Sequence, residues 1–123
     1  METTLEILKA LSDRNRLRIM AALSRHDELC ACQITEVIQV TGATTSRHLS
    51  VLQHAGLVKS RKDGRWVYYR LTHPEGAESV FQWLEKTFQT SEELQADFQT
   101  LENIIEMTRE DLCRKQRGKN CCP

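Results

Sequence analysis

Between Val58 and Leu71 the chain reads VKSRKDGRWVYYRL, and its hydrophobic spacing falls to two residues. Asp63-Gly64 sits in the middle of this stretch. That pair predicts a tight hairpin, because both residues accept positive φ, and the flanking Val and Tyr favour extended backbone. On either side the apolar residues recur at helical intervals. One hairpin set among helices excludes a sandwich, a barrel or a doubly wound sheet. The fold class is therefore mainly α with a small β-hairpin, and 123 residues suit a single domain.

The helices follow from their caps and stripes. Thr3 or Thr4 caps a first helix, with Leu5, Leu8 and Leu11 close enough to share a face. Ser12 or Asp13 caps a second, with Leu17, Met20, Ala21 and Leu23 inward. A third runs from about Ala31 to Val40, with Ile34, Val37 and Ile38 inward, and Gly42 breaks it. Thr44 then caps a fourth, which carries Leu49, Leu52 and Ala55 and stops at Gly56. After Pro74, Val80, Phe81, Leu84 and Phe88 mark another helix. Ser91-Glu92-Glu93 opens one more, with its acids at the positive end of the dipole. Leu94, Phe98, Leu101, Ile105 and Leu112 form a narrow seam of the kind found between two packed helices, and we expect it to join two copies of the chain.

Helix, glycine turn, helix and basic hairpin follow one another in the order of a winged helix-turn-helix. Leu49 and Leu52 anchor the second helix, leaving Thr44, Thr45, Ser46, Arg47, His48, Ser50 and Gln53 on its other surface. Short polar and basic groups on an anchored helix can reach phosphates and base edges. The three hydroxyl residues donate to phosphate, Arg47 and Gln53 read purines, and His48 is either packed or phosphate-facing. The hairpin adds Lys59, Arg61, Lys62 and Arg65, and an arginine at a wing tip fits a narrow minor groove. Trp66 and Tyr68 are assigned to the hairpin core. Charge agrees with this reading. The chain is neutral overall, yet residues 44–73 hold six basic residues against one acidic, and residues 74–112 hold two against ten. A basic middle is what a polyanion partner requires.

As a set, ELCACQI, TSRHLSVLQHAGLVKSRKDG and RWVYYRL resemble the arsenic-repressor (ArsR/SmtB) family of bacterial winged-helix repressors, over roughly residues 5–71. The resemblance implies a homodimer, joined through its N- and C-terminal helices, that binds double-stranded promoter DNA and leaves it on binding a metal or metalloid ion. It departs from the family in two places. Ala43 stands where many members have proline before the recognition helix. Thr35 stands where arsenic-type members with a third nearby cysteine carry it.

Five cysteines supply the candidate input: Cys30, Cys32, Cys113, Cys121 and Cys122. The odd number argues against a disulfide framework, and tight spacing in a reduced compartment points to soft-ion binding or redox sensing. METTLEILKAL lacks a signal-peptide pattern and no run is long enough to span a bilayer, so the expected location is cytoplasmic, with no membrane partner. Two residues turn a helix by about 200°. Cys30 and Cys32 would therefore point apart on an intact helix, and sharing an ion would unwind its first turn and loosen the reading head. Adjacent Cα atoms lie about 3.8 Å apart, so Cys121 and Cys122 are placed to offer two thiolates to one ion, and the surrounding basic residues favour thiolates. Either Cys30 and Cys32 recruit a tail cysteine, or Cys113, Cys121 and Cys122 form their own site. Residues 1–112 are read as the DNA-binding and dimerisation domain and 113–123 as a basic, cysteine-containing tail. A cysteine-only set suits trivalent arsenic or antimony as inducer, as the resemblance also implies, with no cofactor required.

The leading expectation is thus a metalloid-responsive homodimeric repressor. The alternatives keep the fold and change the input to oxidation, persulfide, cadmium or lead, or to none. With no CxxC, no Cys/His pairing and no glycine-rich nucleotide loop, an enzyme is not expected.

Overall fold

The computed structural model describes residues 1–117. Its helices are α1 (Glu2–Leu11), α2 (Arg14–Arg25), α3 (Ala31–Ile38), α4 (Gly42–His54), α5 (Glu78–Thr90), α6 (Glu92–Glu106) and α7 (Arg109–Arg117). Three short strands, β1 (Leu29–Cys30), β2 (Val58–Asp63) and β3 (Trp66–Leu71), form an antiparallel sheet in the order β1-β3-β2. The expected mainly helical winged helix-turn-helix is present, with one strand more than the hairpin. Among the described residues no helix is long and apolar enough to cross a membrane.

The hairpin turn lies one residue later than the sequence places it. Asp63 pairs with Trp66, so Gly64 and Arg65 form the loop. Only Gly64 has positive φ, at 63°. That is the pattern of a turn with glycine at its first central position, rather than of Asp63-Gly64 at both.

Helix starts also differ from expectation. Asp13 caps α2 by accepting from the Arg16 N–H, as expected. For α4 the cap is Thr41, whose hydroxyl accepts from the Thr44 N–H, and Gly42 is the first helical residue. The stop before it is Gln39, in left-handed geometry at φ 56°. Glycine was therefore not needed to break α3. On α1 the inward residues are Ile7, Ala10 and Leu11, while Leu5 and Leu8 stay 40% and 51% exposed.

The core is centred on α2 and α3, with Ile19, Met20, Ile34 and Ile38 meeting Leu49 and Leu52 of α4. The C-terminal seam belongs to this same core. Leu94, Phe98, Leu101, Ile104 and Leu112 are buried with it, and α6 lies across α2 and α3. Of the five seam residues expected to join two copies, Leu94, Phe98, Leu101 and Leu112 are covered by the chain itself, while Ile105 stays 38% exposed. The apolar stripe was real, but its partner is the chain itself. A buried ion pair fixes the arrangement. Arg18 of α2 donates to both Asp97 carboxylate oxygens at 2.8 and 3.0 Å, and to the carbonyls of Val37 and Ile38 at the end of α3. Asp97 bonding, the leading cause, raises the Arg18 pKa further.

Candidate nucleic-acid interface and thiol pair

The reading helix α4 is anchored by Thr45, Leu49 and Leu52, all buried. Thr45 is thereby removed from the expected DNA face. It is 1% exposed, and its hydroxyl accepts from Thr35 and donates to the Thr41 carbonyl. Being four residues before Leu49, it shares the inward face, and a threonine there is held by polar partners rather than offered to phosphate. The Thr35–Thr45 bond is also informative in its own right. At position 35, three residues after Cys32, this chain has a hydroxyl that ties α3 to α4.

Ser46, Arg47, Ser50 and Gln53 are exposed, as expected of a contact face. Thr44 is half-buried, and its hydroxyl accepts from Thr41. His48 takes the packed alternative. Its Nδ1 lies 3.3 Å from Arg16 and 4.0 Å from Asp13, with Arg16 also donating to the Ala10 carbonyl. Sequence spacing did not reveal this cluster, which locks α4 to the end of α1 and the start of α2. The Asp13 carboxyl is held below its ordinary pKa. Burial opposes that shift, and the backbone bond and charge of Arg16 outweigh it.

On the wing, Lys59, Arg61, Lys62 and Arg65 are all exposed. Two of them are engaged. Arg61 makes two 2.6 Å bonds to Glu28 and lies over the Tyr68 ring, 4.6 Å from its centroid. The Arg61 bond is the leading cause that holds the Glu28 carboxyl below its usual range. Arg65 lies over Trp66 at 4.6 Å and 3.9 Å from Glu110 of α7. Trp66 and Tyr68 are part-buried and packed on the core, as expected.

The cysteines overturn one geometric expectation. The sulfurs of Cys30 and Cys32 lie 3.1 Å apart, both fully buried, with α3 intact. The 200° rotation does not apply because Cys30 is not in the helix. It is the N-cap, in extended geometry at ψ 150°, and is paired in β1 with Tyr68. Its N–H donates to the Gln33 side chain at 2.8 Å, which fixes the corner. The pair is therefore already convergent and needs no unwinding.

Cys113 is also buried, inside α7, so the boundary drawn after residue 112 falls within a helix. That helix rests on α3. Lys115 bonds Glu36 at 2.7 Å, and Gln116 donates to Glu36 and to the Cys32 carbonyl at 2.9 Å. The Glu36 carboxyl lies below its ordinary pKa, with burial opposed by the bonds from Lys115 and Gln116. Cys121 and Cys122 lie outside the described residues. Among the described residues, no group of three or more His, Cys, Asp or Glu side chains is arranged to hold a metal ion.

Comparison with known proteins gives the context. Residues 13–60 match a family model described as bacterial regulatory protein, arsR family. The cadmium resistance transcriptional regulatory protein CadC of Listeria innocua is 54% identical over 61 residues, about half of each chain. The arsenic resistance transcriptional regulator ArsR2 of Pseudomonas putida is 33% identical over 122 residues, covering 99% of this chain and 100% of that one. The chain spans only about half the length of the first curated relatives it matches. Among solved structures, HlyU of Vibrio cholerae superposes with a TM-score of 0.61 at 26% identity, covering 72% of this chain and 90% of that one. A relative similar from end to end and a match centred on the reading helices agree, and the chain belongs to the arsR family of bacterial regulatory proteins, which are transcriptional regulators and not enzymes.

Proposed function

We propose that this chain is a homodimeric repressor that binds double-stranded promoter DNA through α4 and the wing, and that trivalent arsenic or antimony releases it by binding Cys30 and Cys32. The 3.1 Å approach of two buried sulfurs at the entry to the support helix carries the reading. Sulfurs bound about 2.3 Å from a tetrahedral ion stand about 3.8 Å apart. A pyramidal trivalent ion has narrower angles and holds two sulfurs closer than that. Soft thiolates select such ions. The third sulfur comes from Cys113 or from Cys121 and Cys122, and its recruitment engages α7, which already rests on Cys32 and Glu36. The input is thus coupled to the DNA face without unwinding α3.

The same 3.1 Å contact supports a second reading. Peroxide could couple the two thiols into a disulfide, with two waters as the other product. A binding titration separates the readings. A fluorescent duplex, selected by the wild-type protein from a random pool, is bound under reductant and challenged in turn with arsenite, cadmium and peroxide. Release by arsenite at the lowest concentration supports the metalloid. Release by peroxide alone overturns it.

The exposed face of α4 has its own test. Arg47→Ala weakens duplex binding by about 1–3 kcal/mol, roughly five- to 150-fold. Unchanged affinity in the same anisotropy assay would remove α4 from the interface.

With α6 and α7 committed to their own chain, the proposed dimer surface falls to α1 and α5. Met1, Leu5 and Leu8 are exposed there, and Trp83 is 68% exposed. Combining Leu8→Glu with Trp83→Glu is expected to shift the chain to monomers in sedimentation velocity while leaving its helical circular dichroism intact.

A further inference from the structure

The thiol pair is connected to the wing as directly as to the reading helices. Cys30 pairs with Tyr68, and Tyr68 pairs with Arg61, so the three form one row across the sheet, on one face. The Arg61 guanidinium lies over Tyr68 and donates through Nε and Nη2 to the two carboxylate oxygens of Glu28, two residues before Cys30, with Nη1 4.0 Å from Asp63. Arg109 approaches the same Tyr68 ring, 5.4 Å from its centroid. The other wing arginine, Arg65, faces Glu110, three residues before Cys113. Glu28 thus holds Arg61 through two hydrogen bonds, and Glu110 meets Arg65 as a looser 3.9 Å ion pair.

We propose that Glu28 and Glu110 are positioning residues that brake the wing: they occupy Arg61 and Arg65 in the DNA-free chain and must yield them to phosphate for the wing to engage. Glu28 takes the Nε–Nη2 edge of Arg61 and neutralises its charge, so phosphate has to displace the carboxylate to use that edge. Both pairs are solvent-exposed, and such pairs add little net stability. The exchange is therefore finely balanced, and a small displacement of β1 or α7 tips it. The input side rests on the thiol reading above, because a guest on Cys30 and Cys32 fixes β1 and favours the braked arrangement. The brake itself does not depend on that reading.

Glu28→Gln removes the charge and keeps the shape. In the full chain it should raise affinity for the selected duplex several-fold and steepen the dependence of log K on log salt by about 0.9, the value of one added phosphate contact. Glu110→Gln should act likewise through Arg65. In an Arg61→Ala background, Glu28→Gln should have no effect. Unchanged or weaker binding in Glu28→Gln, with an unchanged salt slope, overturns the brake. Sodium arsenite then tests the link to the thiols. It should flatten the wild-type slope and do so less in Glu28→Gln. Equal flattening in both severs the thiols from the wing. An unresponsive wild type sinks the metalloid reading instead, and leaves the brake to be judged on the slope alone.

Discussion

Asp97→Ala is expected to destabilise the chain by about 3–5 kcal/mol, the cost of leaving a buried charge without its partner. The carboxylate accepts two bonds from Arg18, and both side chains are largely shielded, 11% and 17% exposed. Removing it leaves a guanidinium that cannot lose its proton with only neutral partners, the Val37 and Ile38 carbonyls and the Asn15 side chain. A domain of this size holds roughly 5–15 kcal/mol in all, so the loss is a large part of the total. It is also local in a way that bears on function. Arg18 caps the end of α3 through Val37 and Ile38, directly before the left-handed Gln39 and the Thr41 cap of α4. Urea midpoints measure the effect, and duplex affinity should fall with them. Replacing both partners, as Arg18→Met with Asp97→Leu, should recover most of the stability, since a buried ion pair is often no better than apolar packing. A loss below about 1 kcal/mol in Asp97→Ala, in the range of ordinary surface pairs, would show that the pair does not lock α6 to the reading unit.

That lock marks where the sequence stops being informative. The stripe from Leu94 to Leu112 is plain in the spacing, but periodicity shows only that a face is apolar, not what covers it. A second copy and the chain's own α2 and α3 satisfy the same pattern. Asp97 was the one clue, an acid beside the seam, and its meaning depends on Arg18, 79 residues away. The reading helices were more legible because their caps and anchors are local. Even so, Thr41 and Thr44 are interchangeable as caps by sequence. Only the left-handed Gln39 decides between them, and nothing in a glutamine announces that geometry. Thr45 was misplaced for a related reason. Threonine reads as polar, yet four residues before Leu49 it faces inward and is tolerated because Thr35 supplies a hydroxyl. A two-residue strand such as β1 has no period at all. It is formed by pairing with Tyr68 and Tyr69, a long-range partner that sets the geometry of Cys30.

Cys30→Ser and Cys32→Ser should each abolish release of DNA by arsenite, moving the half-effect by at least tenfold, while duplex binding without arsenite stays near wild type. Serine offers a hard hydroxyl that remains protonated and does not replace a soft thiolate. The two positions differ in a way that separates function from folding. Cys30 is the N-cap of α3, where serine is among the preferred residues, so Cys30→Ser should hold or raise stability while losing the response. Cys32 sits in the helix with its carbonyl held by Gln116, and serine there places a hydroxyl in the buried site. A modest loss of urea stability is expected at Cys32, and little or none at Cys30. Equal loss of response with unequal effects on stability would therefore mark a site that reads ions rather than one that merely packs. Truncation after Arg117 removes Cys121 and Cys122 and leaves Cys113. Retained release in that variant makes Cys113 the third sulfur. Release that survives both serine variants but disappears on truncation moves the sensor to the residues beyond α7, and the convergent pair at the entry to α3 would then be only a corner in the chain.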